Sequence, residues 1–330
     1  MAEEALGRQR GRGLTRVLGE LRGALTALAL VICVVLAGAS FTIGIPGEAL
    51  LESLRFHIAA ALFIVIVLLF ISRAWWRGVI FLIPLIASVG EGANIIYHQQ
   101  QTRLAAAPSG ATPLFRLMSF NLLNTNTNGR QIADYILASG ADIVMLMEAA
   151  PLAPHRDELL AAYPHYSLCS GRPRCDTVLL SKHPLRNIVT GRLSQVWNER
   201  LITAEADVNG TAVQLVLAHM VKPYFDQFAA EETYRLSRVI RALEGPLVIA
   251  GDFNATPWSD NIDRLARWET LAPGPAYPAT WPVELGPFGI PIDNILTRAP
   301  LVIERIEAIP DPMGSNHLGL IAEASLANPG

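Results

Sequence analysis

Six separate points in the last two-thirds of the chain place a polar side chain where a short apolar run ends. These residues are Asn121, Glu148, His219, the pair Asp252 and Asn254, Asp293, and the tripeptide Ser315-Asn316-His317. Taken singly, each is more typical of a turn, a helix cap or a hydrogen-bonded core residue than of a catalytic group. Together, oxygen ligands that suit Mg²⁺ and a pair of acid–base histidines predict phosphoryl-transfer chemistry that uses Mg²⁺ or Mn²⁺.

The alternation of short apolar runs with helical spacing predicts the elements that must position these residues. From residue 114 onward, helices are predicted at 130–139, 156–162, 225–243 and 258–267. Strands are predicted at 114–121, 142–147, 177–181, 188–193, 202–208, 211–218, 246–250, 292–297, 302–309 and 318–324. Strands that outnumber the helices in this way favour an α/β domain of two sheets packed face to face, with helices outside.

The order of the motifs resembles that of a known family. Ser-Phe-Asn at 119–121, Glu148, His219, Gly-Asp-Phe-Asn at 251–254, Ile-Asp at 292–293 and Ser-x-His at 315–317 occur in the order seen in the endonuclease/exonuclease/phosphatase superfamily. That group includes DNase I-like nucleases, apurinic endonucleases, neutral sphingomyelinases and inositol polyphosphate 5-phosphatases. The resemblance covers residues 114–323 and implies a four-layer α/β/β/α sandwich that hydrolyses phosphoester bonds.

The resemblance also implies roles for single residues. Glu148 would be the principal Mg²⁺ ligand, with Asn121 close to the metal or the phosphate. Asp252 would orient and activate the attacking water, and Asn254 would hold a phosphate oxygen. Asp293 would steady His317, which would stabilise the transition state or move a proton, while His219 would protonate the leaving oxygen.

Two further residues are weaker candidates. Asn316 stands where the family normally has an aspartate, so the negative charge near the metal is lower. Asn316 is still a candidate metal ligand. The change would weaken a second metal position or alter the orientation of His317, and it indicates either a tuned or slower enzyme or a degraded site. Arg200 precedes a predicted strand near the site, and it is as typical of a surface arginine as of a phosphate ligand.

The first hundred residues predict a membrane anchor. Apolar runs at 24–45, 56–72 and 78–97 are each close to the length that crosses a bilayer. The basic segment 1–23 and the loop Arg73-Ala-Trp-Trp-Arg77 place the N-terminus in the cytoplasm, at the inner membrane of the cell. Three crossings and a linker at 98–113 then place a catalytic domain, residues 114–330, on the periplasmic or extracytoplasmic side.

Two alternatives to this topology stay open. If the third run is interfacial or re-entrant, the catalytic domain lies in the cytoplasm. The small residues Ala37-Gly-Ala39 would also suit a cleavable signal peptide. Cys169 and Cys175 bracket a turn-rich stretch and either form a disulfide, as an oxidising compartment would permit, or are two unrelated thiols.

The charge distribution limits the partners. Residues 1–106 have a net charge of +3 and the remainder −6, so the catalytic part is acidic, which weighs against broad nucleic-acid binding through a basic face. The sequence therefore predicts a membrane-anchored phosphodiesterase or nuclease. The alternatives are a lipid head-group phosphodiesterase or phosphatase and an inactive, membrane-tethered binding protein of the same fold. The oligomeric state is not constrained.

Overall fold

In the computed structural model the chain is described at residues 2–41, 47–106, 113–168 and 176–327, with the backbone alone at 2–14 and 226–227. It divides into two compact units, residues 1–94 and 95–330. Cys169 and Cys175 lie outside the described residues, so their disulfide stays a prediction.

The first unit is helical. It contains α1 (Ala2–Gly38), α2 (Glu48–Ser53), α3 (Arg55–Ile71) and most of α4 (Trp75–Ala105). Segments Thr15–Gly38 and Trp75–Ala105 are long and apolar enough to cross a membrane, whereas the apolar helix α3 is shorter. Only 17% and 22% of the apolar windows of these two segments are buried. Exposed apolar surface of this extent is unusual for a protein surrounded by water.

An ion pair fastens the helices of this unit. Arg55 is fully buried, and its guanidinium lies 2.8 Å from the Glu91 carboxylate and donates to the Ala39 carbonyl at 2.6 Å. A charge buried without a partner would cost several kcal/mol in desolvation. The pair therefore ties the start of α3 to both α4 and the end of α1.

The second unit contains twelve strands within the described residues. They are β1 (Phe115–Asn121), β2 (Ile143–Met147), β3 (His165–Ser167), β4 (Thr177–Ser181), β5 (Leu185–Gly191), β6 (Leu201–Val208), β7 (Thr211–His219), β8 (Leu247–Asp252), β9 (Leu271–Pro273), β10 (Asp293–Arg298), β11 (Leu301–Ala308) and β12 (Leu320–Leu326). The first sheet has the order β11-β12-β1-β2-β4-β3 and the second the order β5-β6-β7-β8-β10-β9. The three-residue edge strands β3 and β9 were not predicted from the sequence.

Alternation along the strands creates the layers. On β1, Leu117 faces the second sheet in the central apolar core, whereas Met118 and Phe120 face outward. Helices α5 (Gly129–Ala138) and α6 (Arg156–Ala162) cover the outer face of the first sheet. Helices α7 (Asp226–Arg241) and α8 (Asp260–Trp268) cover that of the second. The α/β/β/α sandwich predicted from the sequence is confirmed.

The last turns of α4 belong to the second unit. Gln99 is buried; its amide donates to the Pro257 carbonyl at 2.8 Å and accepts from the Tyr277 hydroxyl at 3.0 Å. Gln100 donates to the Gly274 carbonyl at 2.9 Å. The chain is thus helical up to Ala105, where a linker was predicted from residue 98, because these side chains find hydrogen-bond partners on the domain.

Candidate active site

The topology brings the candidate residues to one edge of the sandwich. Asn121 ends β1, and Glu148 follows the neighbouring parallel strand β2. His219 ends β7 directly opposite Asp252 at the end of β8, and Asp293 begins the antiparallel strand β10 opposite Asp252. Polar side chains at strand ends on a rigid scaffold are where binding and catalytic groups usually lie.

Direct hydrogen bonds join the two sheets at this edge. The Asn121 amide donates to Asp252 Oδ2 at 2.9 Å and lies 3.5 Å from Glu148 Oε1. The Ser315 hydroxyl donates to the Asn121 carbonyl at 2.7 Å and accepts from the His317 backbone N–H at 3.1 Å. Residues far apart in the chain are therefore held in one cluster.

The centre of the cluster is a buried group of Asp252, Asp293 and His317, each with a ligand atom within 4.8 Å of the others. His317 Nδ1 lies 2.9 Å from Asp293 Oδ2, and its Nε2 faces Asp252 Oδ2 at 3.9 Å. Burial raises the pKa of Asp252. Burial by itself would lower the pKa of His317, but the charges of Asp293 and Asp252 outweigh it and raise the pKa to about 9. The raised pKa favours the charged form of the imidazole.

A second carboxylate–histidine pair lies beside the first. Asp176 accepts from His219 Nδ1 at 2.6 Å and from Arg200 Nε at 2.5 Å. Burial would raise the pKa of Asp176, but the hydrogen bond and charge of His219, with those of Arg200, lower it below its usual value. His219 Nε2 faces Asp252 Oδ2 at 3.8 Å, so both histidines face the same carboxylate oxygen.

Asp176 was missed from the sequence. It stands directly before strand β4, whereas most of the predicted site residues directly follow a strand. Because β4 runs antiparallel to β2, its beginning lies at the same edge as the end of β2. A polar residue directly before the apolar run 177–181 was the available signal.

Arg200, predicted to contact substrate, is already engaged. Its guanidinium pairs with Asp176 and lies 4.7 Å from the ring centre of Trp197, and the side chain is largely buried. The pairing brings Arg200 to the His219 side of the cluster. Contact with a phosphate stays a prediction.

Asn254 and Asn316 differ in how firmly they are fixed. Asn254 adopts a left-handed backbone conformation, with its N–H donating to Asp252 Oδ1 at 2.8 Å and its amide to the Met220 carbonyl at 2.9 Å. Asn316 is half-buried between Ser315 and His317. The roles predicted for both, phosphate binding and metal ligation, stay predictions.

The donor set fits a divalent cation. The half-buried Glu148 has a left-handed backbone, and its Oε2 accepts from the Asn124 N–H at 2.8 Å. Asp293 Oδ1 is buried without a hydrogen-bond partner among the residues that the structure describes. The carboxylates of Asp252 and Asp293, with Glu148 one hydrogen-bonded residue away through the Asn121 amide, match the hard-oxygen preference of Mg²⁺ and similar ions.

Comparison with known proteins agrees with this geometry. The family model described as "Endonuclease/Exonuclease/phosphatase family" matches residues 118–317. No curated protein sequence matches the chain significantly.

Three solved structures illustrate the shared fold, each matching 64% of this chain. TDP2 of D. rerio, complexed with a single-strand DNA product, is 15% identical with a TM-score of 0.55 over 98% of its length. An endonuclease/exonuclease/phosphatase from Beutenbergia cavernae is 21% identical with a TM-score of 0.52 over 72% of its length. Mannosyl-6-phosphatase Bt3783 of Bacteroides thetaiotaomicron is 14% identical with a TM-score of 0.51 over its full length.

Structures of such low sequence identity establish only a shared fold. The family model, by contrast, spans more than half of the chain and includes every candidate catalytic residue. The chain therefore belongs to the endonuclease/exonuclease/phosphatase family.

Proposed function

We propose that the protein is a membrane-anchored phosphoester hydrolase of the phosphodiesterase type, dependent on a divalent metal, with its active site outside the cytoplasm. The observation that carries this proposal is the convergence of two carboxylate–histidine pairs, Asp176–His219 and Asp293–His317, on Asp252. Such an arrangement has a place for a nucleophile, a leaving group and the charge that develops between them.

In this mechanism the protein's own groups divide the work. Asp252 orients the attacking water. His219, with its Nδ1 fixed by Asp176, directs Nε2 toward the leaving oxygen and donates the proton that this oxygen requires. His317, in its charged form, stabilises negative charge on the non-bridging oxygens, and Asn254 donates to one of them.

Glu148, Asn121 and Asp252 would hold the metal, with Asn316 next to them. A bound Mg²⁺ or Mn²⁺ supplies Lewis-acid stabilisation of the phosphoryl group. Asn316 removes one carboxylate from this neighbourhood, which favours a slower enzyme rather than an inactive one, because both carboxylate–histidine pairs are complete.

The anchor is proposed from the exposed apolar faces of α1, α3 and α4. The basic residues before α1 and in the α3–α4 loop favour a cytoplasmic N-terminus and an extracytoplasmic catalytic domain. An active site tethered to a membrane has access to lipid head groups, so we propose these as a second class of substrate beside nucleic acid.

The test is hydrolysis by the full chain purified in detergent. Bis(p-nitrophenyl) phosphate, plasmid DNA and a sphingomyelin-type lipid would be offered with Mg²⁺, with Mn²⁺ and with EDTA. We expect metal-dependent turnover that falls about a hundredfold or more in Glu148→Gln and in His317→Asn.

The matched control is Glu244→Gln, which removes an exposed carboxylate away from the site and should leave turnover unchanged. Turnover that persists in EDTA, or that survives both site substitutions, would contradict the proposal. A folded protein that hydrolyses none of the substrates would favour the inactive, membrane-tethered binding protein instead.

A further inference from the structure

Three loops border the active site on the side of the second sheet. Residues 192–200 lead into β6, whose first residue, Leu201, pairs with Ala218 next to His219. Residues 220–225 follow His219 directly, and residues 281–291 lead into Asp293. All three loops therefore join strands at the same edge of the second sheet as His219, Asp252 and Asp293.

Each of these loops exposes large apolar side chains. Trp197 is 45% exposed, Tyr224 57% and Phe288 76%, and each has an exposed apolar companion in the same loop. We call this set the apolar rim: Val196, Trp197, Tyr224, Phe225, Leu285 and Phe288. Large apolar side chains exposed on three loops of one sheet edge are more typical of a binding surface than of scattered surface residues.

The loops that carry the rim are held in place by buried interactions. Glu232 of α7 is buried, and its carboxylate accepts from the Ser194 hydroxyl at 2.5 Å and from the Val221 N–H at 2.7 Å. It therefore joins the first two loops. In the third, Trp281 and Ile290 form a two-way backbone bridge. The rim is consequently presented at fixed positions on the fold.

The chain itself indicates what covers the rim. The predicted apolar run of α4 ends at Tyr97, and two residues later Gln99 contacts Pro257, which is three residues beyond Asn254. In a membrane-anchored chain, the second unit therefore begins within a few residues of the last apolar run, and this short connection limits how far the unit can lie from the lipid. Exposed cations in two of the rim loops, Arg192 and Lys222, add attraction for lipid phosphates.

We propose that the apolar rim docks on the lipid surface, so that the active site meets phosphoester groups at the membrane interface. The proposal rests on the membrane anchoring of the proposed function. Trp and Tyr favour the head-group region of a bilayer. Since the chain is already tethered, docking is an intramolecular step with a high effective concentration, and a small apolar area is sufficient.

The experiment uses the full chain reconstituted into lipid nanodiscs whose acyl chains carry bromine, a quencher of tryptophan fluorescence. The contribution of Trp197 is obtained as the difference between wild type and Trp197→Phe. We expect this contribution to be quenched, more strongly with anionic than with zwitterionic lipid. In Tyr224→Ser/Phe288→Ser the quenching of Trp197 should be largely lost.

The matched control is Tyr234→Ser/Val189→Ser, which removes two side chains that are each 60% exposed but lie outside the rim. It should leave the quenching of Trp197 intact. A Trp197 contribution that brominated lipid does not quench would overturn the proposal, as would equal losses in the rim and control variants.

Hydrolysis of bis(p-nitrophenyl) phosphate, measured on the same nanodiscs, separates this proposal from the proposed function. Quenching of Trp197 without hydrolysis would support docking and contradict the hydrolase. Hydrolysis without quenching would support the hydrolase and overturn docking.

Discussion

Both histidines of the site are oriented through the same ring nitrogen. His219 Nδ1 contacts Asp176 and His317 Nδ1 contacts Asp293, which leaves each Nε2 facing Asp252. A carboxylate on Nδ1 fixes both the tautomer and the ring orientation of a histidine. The Oδ2 atom of Asp252 therefore has the Nε2 atoms of both imidazoles within 4 Å.

Asp176→Asn tests the first of these pairs. The amide keeps the size of the side chain but removes the charge that fixes His219 and pairs with Arg200. We expect kcat for a phosphodiester to fall about tenfold or more, because part of the general acid contribution is lost. Asp157→Asn, at an exposed position on α6, is the control. Equal turnover in the two variants would show that His219 needs no carboxylate partner.

Asp176→Asn can also be tested through the pH dependence of the free energy of unfolding. The pKa of Asp176 is lower in the folded chain than its unfolded value of about 3.9. Its stabilising effect is therefore complete above that value and is lost as the pH falls through the folded pKa. In urea unfolding, the advantage of wild type over Asp176→Asn should be constant near neutral pH and shrink below about pH 4.

The sequence was sufficient for most of the site because strand ends are visible as the ends of apolar runs. Glu148, His219, Asp252 and Asp293 each follow or begin such a run, and the structure places all four at one edge. Asp176 was missed since its partnership with His219 depends on which strands are neighbours. Sheet order is a long-range property that short patterns do not contain.

At the level of elements, strand β8 needs a glycine immediately before Asp252. Gly251 has φ +148°, and a Cβ there would lie 1.9 Å from the Ala218 carbonyl oxygen on β7. Only a residue without a side chain allows the parallel pairing that sets Asp252 opposite His219. The glycine in Gly-Asp-Phe-Asn thus has a packing role beside the catalytic residues that follow it.

Gly251→Ala adds one methyl group, but it should destabilise the fold far more than an added methyl group usually does. We expect a loss of about 3 kcal/mol or more in the free energy of unfolding, together with loss of turnover. Gly210→Ala is the matched control, because Gly210 also has a positive φ, +85°, but has open space around it. It should cost about 1 kcal/mol. Similar losses in urea unfolding for the two variants would contradict the packing explanation.

The end of α4 shows where element prediction was wrong and why. Gln99-Gln-Gln followed by small residues is typical of a linker, yet residues 98–105 are helical. Helical backbone here is favoured by the contacts of Gln99 and Gln100 with the loops of the second unit. Those partners lie more than 150 residues away, so local composition contained no sign of them.

Gln99→Ala measures the contribution of this contact. It removes the donor to the Pro257 carbonyl and the acceptor of the Tyr277 hydroxyl, which still accepts from Gln100. We expect the second unit to lose about 1–3 kcal/mol in unfolding free energy. Gln101→Ala, an exposed neighbour on the same helix, should change it by less than about 0.5 kcal/mol. Denaturant unfolding in detergent, followed by tryptophan fluorescence, compares them. If Gln99→Ala left the free energy of unfolding unchanged, the end of α4 would not contribute to the stability of the second unit.

At the scale of the whole molecule, the proposed topology gives a direct prediction. Reporter fusions after Ser72 and after Pro108 should report the cytoplasm and the extracytoplasmic side respectively, because the loop containing Arg73 and Arg77 is basic. A reporter pair such as green fluorescent protein and alkaline phosphatase distinguishes the two sides. Cytoplasmic signal from the fusion after Pro108 would place the active site inside the cell and weaken the predicted disulfide.

The catalytic residues are divided between the two sheets. Asn121 and Glu148 stand on the first and His219 and Asp252 on the second, and the apolar core between the sheets sets their separation. The reaction rate therefore depends on the volume of the core between the sheets. Hydrostatic pressure, or removal of a methyl group from Leu117, changes that volume and leaves every polar group in place. We expect either change to lower the reaction rate before any secondary structure is lost.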